Sequence, residues 1–185
     1  MKKSTITIAL ILVGMISLSA QKKVTVEFEL DPLAYTIGGA SGHVALAWKN
    51  ERMQLGYGQL TIPESVQNHK NVSEHFKAIS FKWDYFPGRE DTNQGFFFGP
   101  TVDYLFLKYE NENKVSVNDQ QIAVGIRGGY KFDLFKSNDT LKGLYLTPWI
   151  GFSYLTDADD IQIQDESYDR KSTNIFPTIH LGWAF

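Results

Sequence analysis

Residues 174–185 alternate in character up to the end of the chain. Ile175, Pro177, Ile179, Leu181, Trp183 and Phe185 are apolar, whereas Asn174, Thr178, His180, Gly182 and Ala184 between them are polar or small. Phe176 is the one exception. A period of two is the period of a β-strand, whose successive side chains point to opposite faces. Such a strand sets one face against an apolar medium and the other against a polar one, and this limits the folds open to the chain.

Seven further segments carry the same period. They are centred on Val24–Leu30, Val44–Trp48, Met53–Tyr57, Ile79–Tyr85, Phe96–Phe106, Ile122–Phe132 and Leu144–Tyr154. The sixth is the clearest: Ile122, Val124, Ile126, Tyr130 and Phe132 alternate with Gln121, Ala123, Gly125, Arg127, Gly129, Lys131 and Asp133. Eight alternating strands predict an all-β chain, an eight-stranded antiparallel up-and-down transmembrane β-barrel. Alternation alone leaves open which face is inside. Arg127, Lys131 and Asp133 share one face, as do Lys82 and Asp84, so their charges can neutralise one another inside a lumen. The opposite faces are rich in large aromatic side chains. Both observations favour a polar interior, the inverse of a soluble ligand-carrying barrel.

The first twenty residues have a different character. Lys2 and Lys3 precede an apolar run over residues 6–18, and Leu18-Ser19-Ala20 offers a small residue before Gln21. This layout predicts a secretory signal peptide over 1–20, cleaved near Ala20, and a barrel domain over 21–185. Without Lys2 and Lys3 the net charge moves from −3 to −5, so no basic excess attracts nucleic acid. There is no cysteine, which excludes disulfides and thiolate metal sites. No later apolar run is long enough for a transmembrane helix. Mean hydropathy is slightly negative, as expected where only alternate residues face lipid.

The connections fall into two sets. One comprises 50–51, 88–94 and 136–143. The other, longer on average, comprises 31–37, 63–74, 110–119 and 157–173. Short turns on the periplasmic side and longer loops outside are expected of such a barrel, and an even strand number leaves both termini in the periplasm. Trp48, Trp83, Tyr85, Phe132, Trp183 and Phe185 all lie at the short-turn end, and Tyr104, Phe106 and Tyr154 lie near the other rim. Two aromatic girdles mark the two interfaces of a bilayer.

The signal peptide, the alternating strands and the ending Phe176-Pro177-Thr178-Ile179-His180-Leu181-Gly182-Trp183-Ala184-Phe185 give this chain its resemblance to the small eight-stranded outer-membrane β-barrel proteins. That group includes OmpX, OmpW and the transmembrane domain of OmpA. The resemblance covers nearly the whole mature chain. It implies residence in the bacterial outer membrane, contact with its lipids and lipopolysaccharide, and assembly as a monomer by the barrel-assembly machinery, which reads a terminal aromatic like Phe185. It is specific for architecture and poor for function, because such barrels include adhesins, plugs, narrow channels and lipid-modifying enzymes.

The expected lumen cluster is Glu27, Glu29, His43, Arg52, Lys82, Asp84, Asp103, Arg127, Lys131, Asp133 and His180. An eight-stranded barrel is just wide enough for side chains to fill it, so these residues are expected to plug the interior. His43 and His180 should face inward at similar height, with Glu27 and Glu29 between them. That set suits a divalent cation or an acid–base pair, or simply a charge-paired filling. Ser41 beside His43, with a nearby glutamate, has the residue types of a hydrolase triad. The acidic 157–173 segment has the composition of an ion-binding loop, but not an EF-hand spacing. The expectation is a structural or surface-interaction barrel with no catalytic role, no cofactor and no resident metal. A narrow pore for a small or amphipathic solute and a lipid A-modifying hydrolase are the alternatives.

Overall fold

Strand follows strand around a closed wall in this computed structural model, which describes residues 24–62, 72–88, 93–135, 142–163, 166–168 and 170–185. The expected leader, residues 1–20, lies outside the described residues. In chain order the wall is built from β1 (Val24–Leu30), β2 (Ala40–Trp48), β3 (Glu51–Ile62), β4 (Val72–Tyr85), β5 (Gly95–Asn111), β6 (Ser116–Asp133) and β7 (Gly143–Leu155). A short hairpin follows, made of β8 (Ile161–Ile163) and β9 (Glu166–Tyr168). β10 (Thr173–Ala184) then closes the ring between β7 and β1. The result is a closed antiparallel barrel of eight strands. Among the described residues no helix is long and apolar enough to cross a membrane, which has no bearing on strands.

The alternation resolves with polar side chains inside. Thr25, Glu27 and Glu29 of β1 are buried, whereas Val26, Phe28 and Leu30 are exposed on the outer surface. The same holds around the ring. Phe28, Val44, Leu55, Phe81, Phe98, Ile126, Phe152 and Ile179, one from each barrel strand, are all exposed. Of the expected girdle, Trp83, Tyr85, Phe132, Trp183 and Phe185 are exposed and Trp48 is half-buried. All six lie at the end that carries Phe185, called here the near end. Tyr85 meets Phe98 edge-on and Phe28 meets Phe185 the same way, with centroids 5.8 and 5.5 Å apart.

Turn chemistry explains the one near-end connection described in full, since parts of 88–94 and 136–143 lie outside the described residues. The β2–β3 link is the two-residue turn Lys49–Asn50, in which Lys49 takes a left-handed φ of 50°. At the far end three connections are more ordered than the sequence suggests. Residues 31–37 contain a single helical turn, α1 (Pro32–Thr36). Asp31 caps it by accepting from the N–H groups of Leu33 and Ala34, and Pro32 fills the first turn, where no donor is needed. Residues 110–119 are mostly strand. β5 runs to Asn111 and β6 begins at Ser116, with a tight turn at Lys114. The 157–173 segment contains the β8–β9 hairpin.

The last two differences share one cause. Above the polar lumen the inner face becomes apolar. Val72, Leu107 and Tyr109 of the wall pack with Ile161, Ile163 and Tyr168 of the hairpin, flanked by Phe76, Leu105, Val115 and Val117. The extended strands of β4–β6 thus gain a cover, which stabilises both partners by removing apolar area from water. Arg170 ties the hairpin down. It makes an ion pair with Asp119 of β6 and donates to the Asp159 carbonyl.

Candidate functional site

The lumen is filled in layers. At its near end Phe86 and Phe97 are buried, and the Arg52 guanidinium lies over both rings at 5.6 and 5.2 Å. Lys131 sits 3.9 Å over the Tyr145 ring and donates to Glu27 Oε1, while the Tyr145 hydroxyl donates to Glu27 Oε2 at 3.0 Å. Lys131 and Glu27 belong to β6 and β1, so this contact crosses the interior.

The next layer is an ion-pair lattice. Arg52 Nη1 donates to Glu29 Oε1 at 2.7 Å and to Glu27 Oε2 at 3.4 Å, and its Nε donates to Asp84 Oδ2 at 2.8 Å. Its Nη2 also lies 2.8 Å from Asp84 Oδ2 but makes no aligned hydrogen bond, so that contact is purely ionic. Arg127 Nε donates to Asp84 Oδ1 at 2.8 Å, and its Nη2 donates to Asp84 Oδ2 at 2.6 Å and to Gln54 Oε1 at 3.1 Å. Gln54 Nε2 in turn donates to Glu29 Oε2 at 2.5 Å. Three carboxylates thus face three cations: Glu27, Glu29 and Asp84 against Arg52, Arg127 and Lys131. Buried charges are tolerable when paired and hydrogen-bonded in this way, and each of the six carboxylate oxygens accepts at least one bond, while Arg52 Nη2 and Arg127 Nη1 are left without a hydrogen-bond partner.

Lys82 stands apart. Although it shares a face with Asp84, both oxygens of that carboxylate are engaged by the arginines. Lys82 lies instead 5.1 Å over the Trp149 ring, which Arg127 approaches at the same distance. Half-buried Asp103 supplies an opposite charge nearby. Asp133, also half-buried, accepts from Gln94 at the near-end rim.

The two histidines meet. Their rings stack at 4.6 Å, His180 Nδ1 lies 2.8 Å from Glu29 Oε2, and His43 Nε2 lies 2.8 Å from Ser41 Oγ. The serine and the carboxylate therefore bond to different histidines. His43 Nδ1 has no hydrogen-bond partner and packs on Gly56, where an added Cβ would lie 1.9 Å from it. A triad needs its carboxylate on the second nitrogen of the histidine that serves the serine, and this arrangement lacks that link. Among the described residues no group of three or more His, Asp or Glu is placed to hold a metal ion.

Side-chain packing seals the middle of the barrel. Glu27, Glu29, Arg52, Gln54, Asp84, Thr147 and His180 are each 1% exposed or less. At the near end, the space beside Glu27, Lys131 and Tyr145 is about 10 Å³, the volume of one water centre. Toward the far end an open space of about 700 Å³ borders the rim of β3–β6 and Gly38, lined by both faces of the wall, with Leu60, Phe76 and Leu107 beside Gln59, Lys108 and Asn118. Near it Tyr109 donates to Glu74 at 3.5 Å.

The sequence reading did not single out Gln54, Tyr145, Trp149, Phe86 or Phe97 for the cluster. Gln54, Tyr145 and Trp149 all lie on the polar-face parity of their strands, and that parity was the available signal. Phe97 lies between Phe96 and Phe98, where composition shows no face and only the strand phase reveals which ring turns inward. No known family model matches this chain, and no curated protein sequence does.

Proposed function

We propose that this chain is an integral outer-membrane barrel with a sealed polar lumen, acting through structure and surface contact and having no catalytic role. The observation that carries the reading is the inverted barrel: a neutralised ion-pair lattice inside and a ring of exposed apolar side chains on all eight strands outside. A soluble protein rarely exposes a contiguous apolar patch beyond a few hundred Å², and this band runs around the whole wall. A bilayer is the solvent that makes such a surface favourable, and a closed barrel is one of two architectures that satisfy every backbone group there. The near end then faces the periplasm, and the far end carries the longer connections to the cell surface. Its partners are outer-membrane lipids, lipopolysaccharide and the barrel-assembly machinery, and the chain works as a monomer.

The lattice also favours a plug over the narrow pore. A conducting path needs water, and the central side chains leave none of their surface open to it. The test is conductance in a planar bilayer. The purified barrel is expected to show no steady ion current. A stable single-channel current that changes size with Arg127→Ala would replace this reading with the pore.

A further inference from the structure

Among the described residues Arg52, Lys82, Arg127 and Lys131 are the cations buried in the lumen. Arg52, Arg127 and Lys131 neutralise Glu27, Glu29 and Asp84, so the lattice is balanced without Lys82. Lys82 is 5% exposed and makes no ion pair with any described residue. Buried Asp31 is engaged elsewhere, accepting from the N–H groups of α1 and from Thr178. Half-buried Asp103 is near enough to attract Lys82, yet lies outside ion-pair distance. A buried ammonium without a paired counter-charge is costly.

The groups beside Lys82 add donors and no acceptor. Lys82 Nζ and the Arg127 guanidinium each lie 5.1 Å from the Trp149 ring, so two like charges share one indole. Trp149 Nε1 and Arg127 Nη1 are enclosed and have no hydrogen-bond partner. Both atoms can only donate. A cation over an indole face gains from the ring quadrupole, but that gain leaves the N–H groups unbonded and the two cations repelling each other. One negatively charged acceptor at this ring would answer all three donors.

Solvent can reach this level from the far end. The inner face beside Lys82 is made of small residues: Lys82 pairs in register with Thr101, Thr101 with Gly125, and Gly125 with Ser153. Asp103, Gly125, Ser153 and Leu155 are half-buried although they share the inward parity. Inward-turned Phe176, 5.9 Å from Trp149, is exposed. Below, Arg52, Gln54 and Asp84 are closed off.

We propose that Lys82, Arg127 and Trp149 hold one small monovalent anion, of halide size, at the floor of the far half of the lumen. Charge sets the number of ions: Lys82 is one positive charge beyond the balanced lattice. Packing sets the size, since Lys82 and Arg127 are almost fully enclosed and suit an ion not much larger than a water molecule. The lattice beneath blocks onward passage, so the ion exchanges with the far side alone. The proposal rests on the sealed lumen and not on the outer-membrane assignment.

The test is iodide quenching of Trp149 fluorescence in the full barrel refolded in detergent micelles. Trp48→Phe, Trp83→Phe and Trp183→Phe leave Trp149 as the one indole, and gluconate keeps the ionic strength constant. The expected result is a quench that saturates with iodide and is reversed by chloride. Lys82→Gln is expected to weaken iodide binding about tenfold or more, the worth of one charged hydrogen bond, while a mobility shift on boiling shows that the variant has folded. Lys82→Met takes its place should the glutamine variant not fold. A quench that rises in proportion to iodide, one that chloride does not reverse, or none at all overturns the site. So does a saturating quench that survives removal of the ammonium. These readings are independent of where the barrel resides, and a pore would show separately as current in the bilayer assay.

Discussion

Arg127 holds Asp84 with two hydrogen bonds from one guanidinium, Nε to Oδ1 at 2.8 Å and Nη2 to Oδ2 at 2.6 Å. Arg52 binds the same carboxylate from the other side. Bidentate pairs of this kind are the strong class of charge-assisted bonds. Asp84→Ala leaves two buried guanidinium groups short of a partner. The expected loss is about 3–5 kcal/mol, measured as a lower urea midpoint for the barrel in detergent micelles. Joint replacement, Asp84→Asn with Arg127→Gln, is expected to cost less than the sum of the two single changes, because the residues are directly coupled. Additive losses would mean that the lattice is not the unit described here.

Close approach between register partners on neighbouring strands, Gly182 of β10 and Tyr145 of β7, sets a second prediction. A Cβ at Gly182 would lie 2.2 Å from the Tyr145 ring, whereas one at Gly42 would meet only the end of Leu30 at 3.7 Å. Tyr145 is itself held by Glu27 and Lys131, so it has little room to move. Gly182→Ala is expected to lower folding yield and destabilise by about 1–3 kcal/mol. Gly42→Ala is expected to leave both near the parent value. Equal behaviour of the two in refolding assays would contradict the packing of Tyr145.

The outer face can be probed with one charge. Ile126 is 66% exposed, midway along β6. In a bilayer Ile126→Arg is expected to cost about 2–4 kcal/mol, the penalty for a cation near the midplane of a barrel wall. On a water-facing surface the same change would be nearly neutral. Unfolding from lipid vesicles separates the two cases.

Much of the wall was legible because strand period and burial coincide: at Glu27, Glu29, Arg127 and Lys131 a polar residue on the shared parity is a lumen residue. Pairing partners were not legible. Asp84 shares a face with Lys82, yet it binds Arg52, its register partner on β3, and Arg127 of β6, two strands away, because register and stagger decide both contacts and a linear pattern carries neither. The far end was harder still. Leu107, Tyr109, Val115 and Val117 sit among Lys, Glu and Asn, so the segment reads as a loop. Their apolar face has meaning only once Ile161, Ile163 and Tyr168 fold over it. Asp31 caps α1 through local bonds to Leu33 and Ala34, whereas its bond to Thr178 depends on a neighbour far along the chain.

The hairpin gives a local prediction. Ile163 is buried against the β4–β6 extension. Ile163→Ala removes about 2–5 kcal/mol of packing from an element held otherwise by Arg170 and its own pairing. Added protease is expected to nick the hairpin region of this variant while the barrel core stays intact on a gel. Unchanged resistance would show that the apolar cluster does not hold the hairpin down.

The central claim is that the polar face is inside and the apolar face meets lipid. Outer-membrane fractionation with boiled and unboiled gel samples tests it most directly, with protease added to whole cells. The account predicts recovery in the outer-membrane fraction, a mobility shift on boiling, and cleavage confined to the far-end connections. Recovery in the soluble periplasmic fraction, with no shift on boiling, would contradict it.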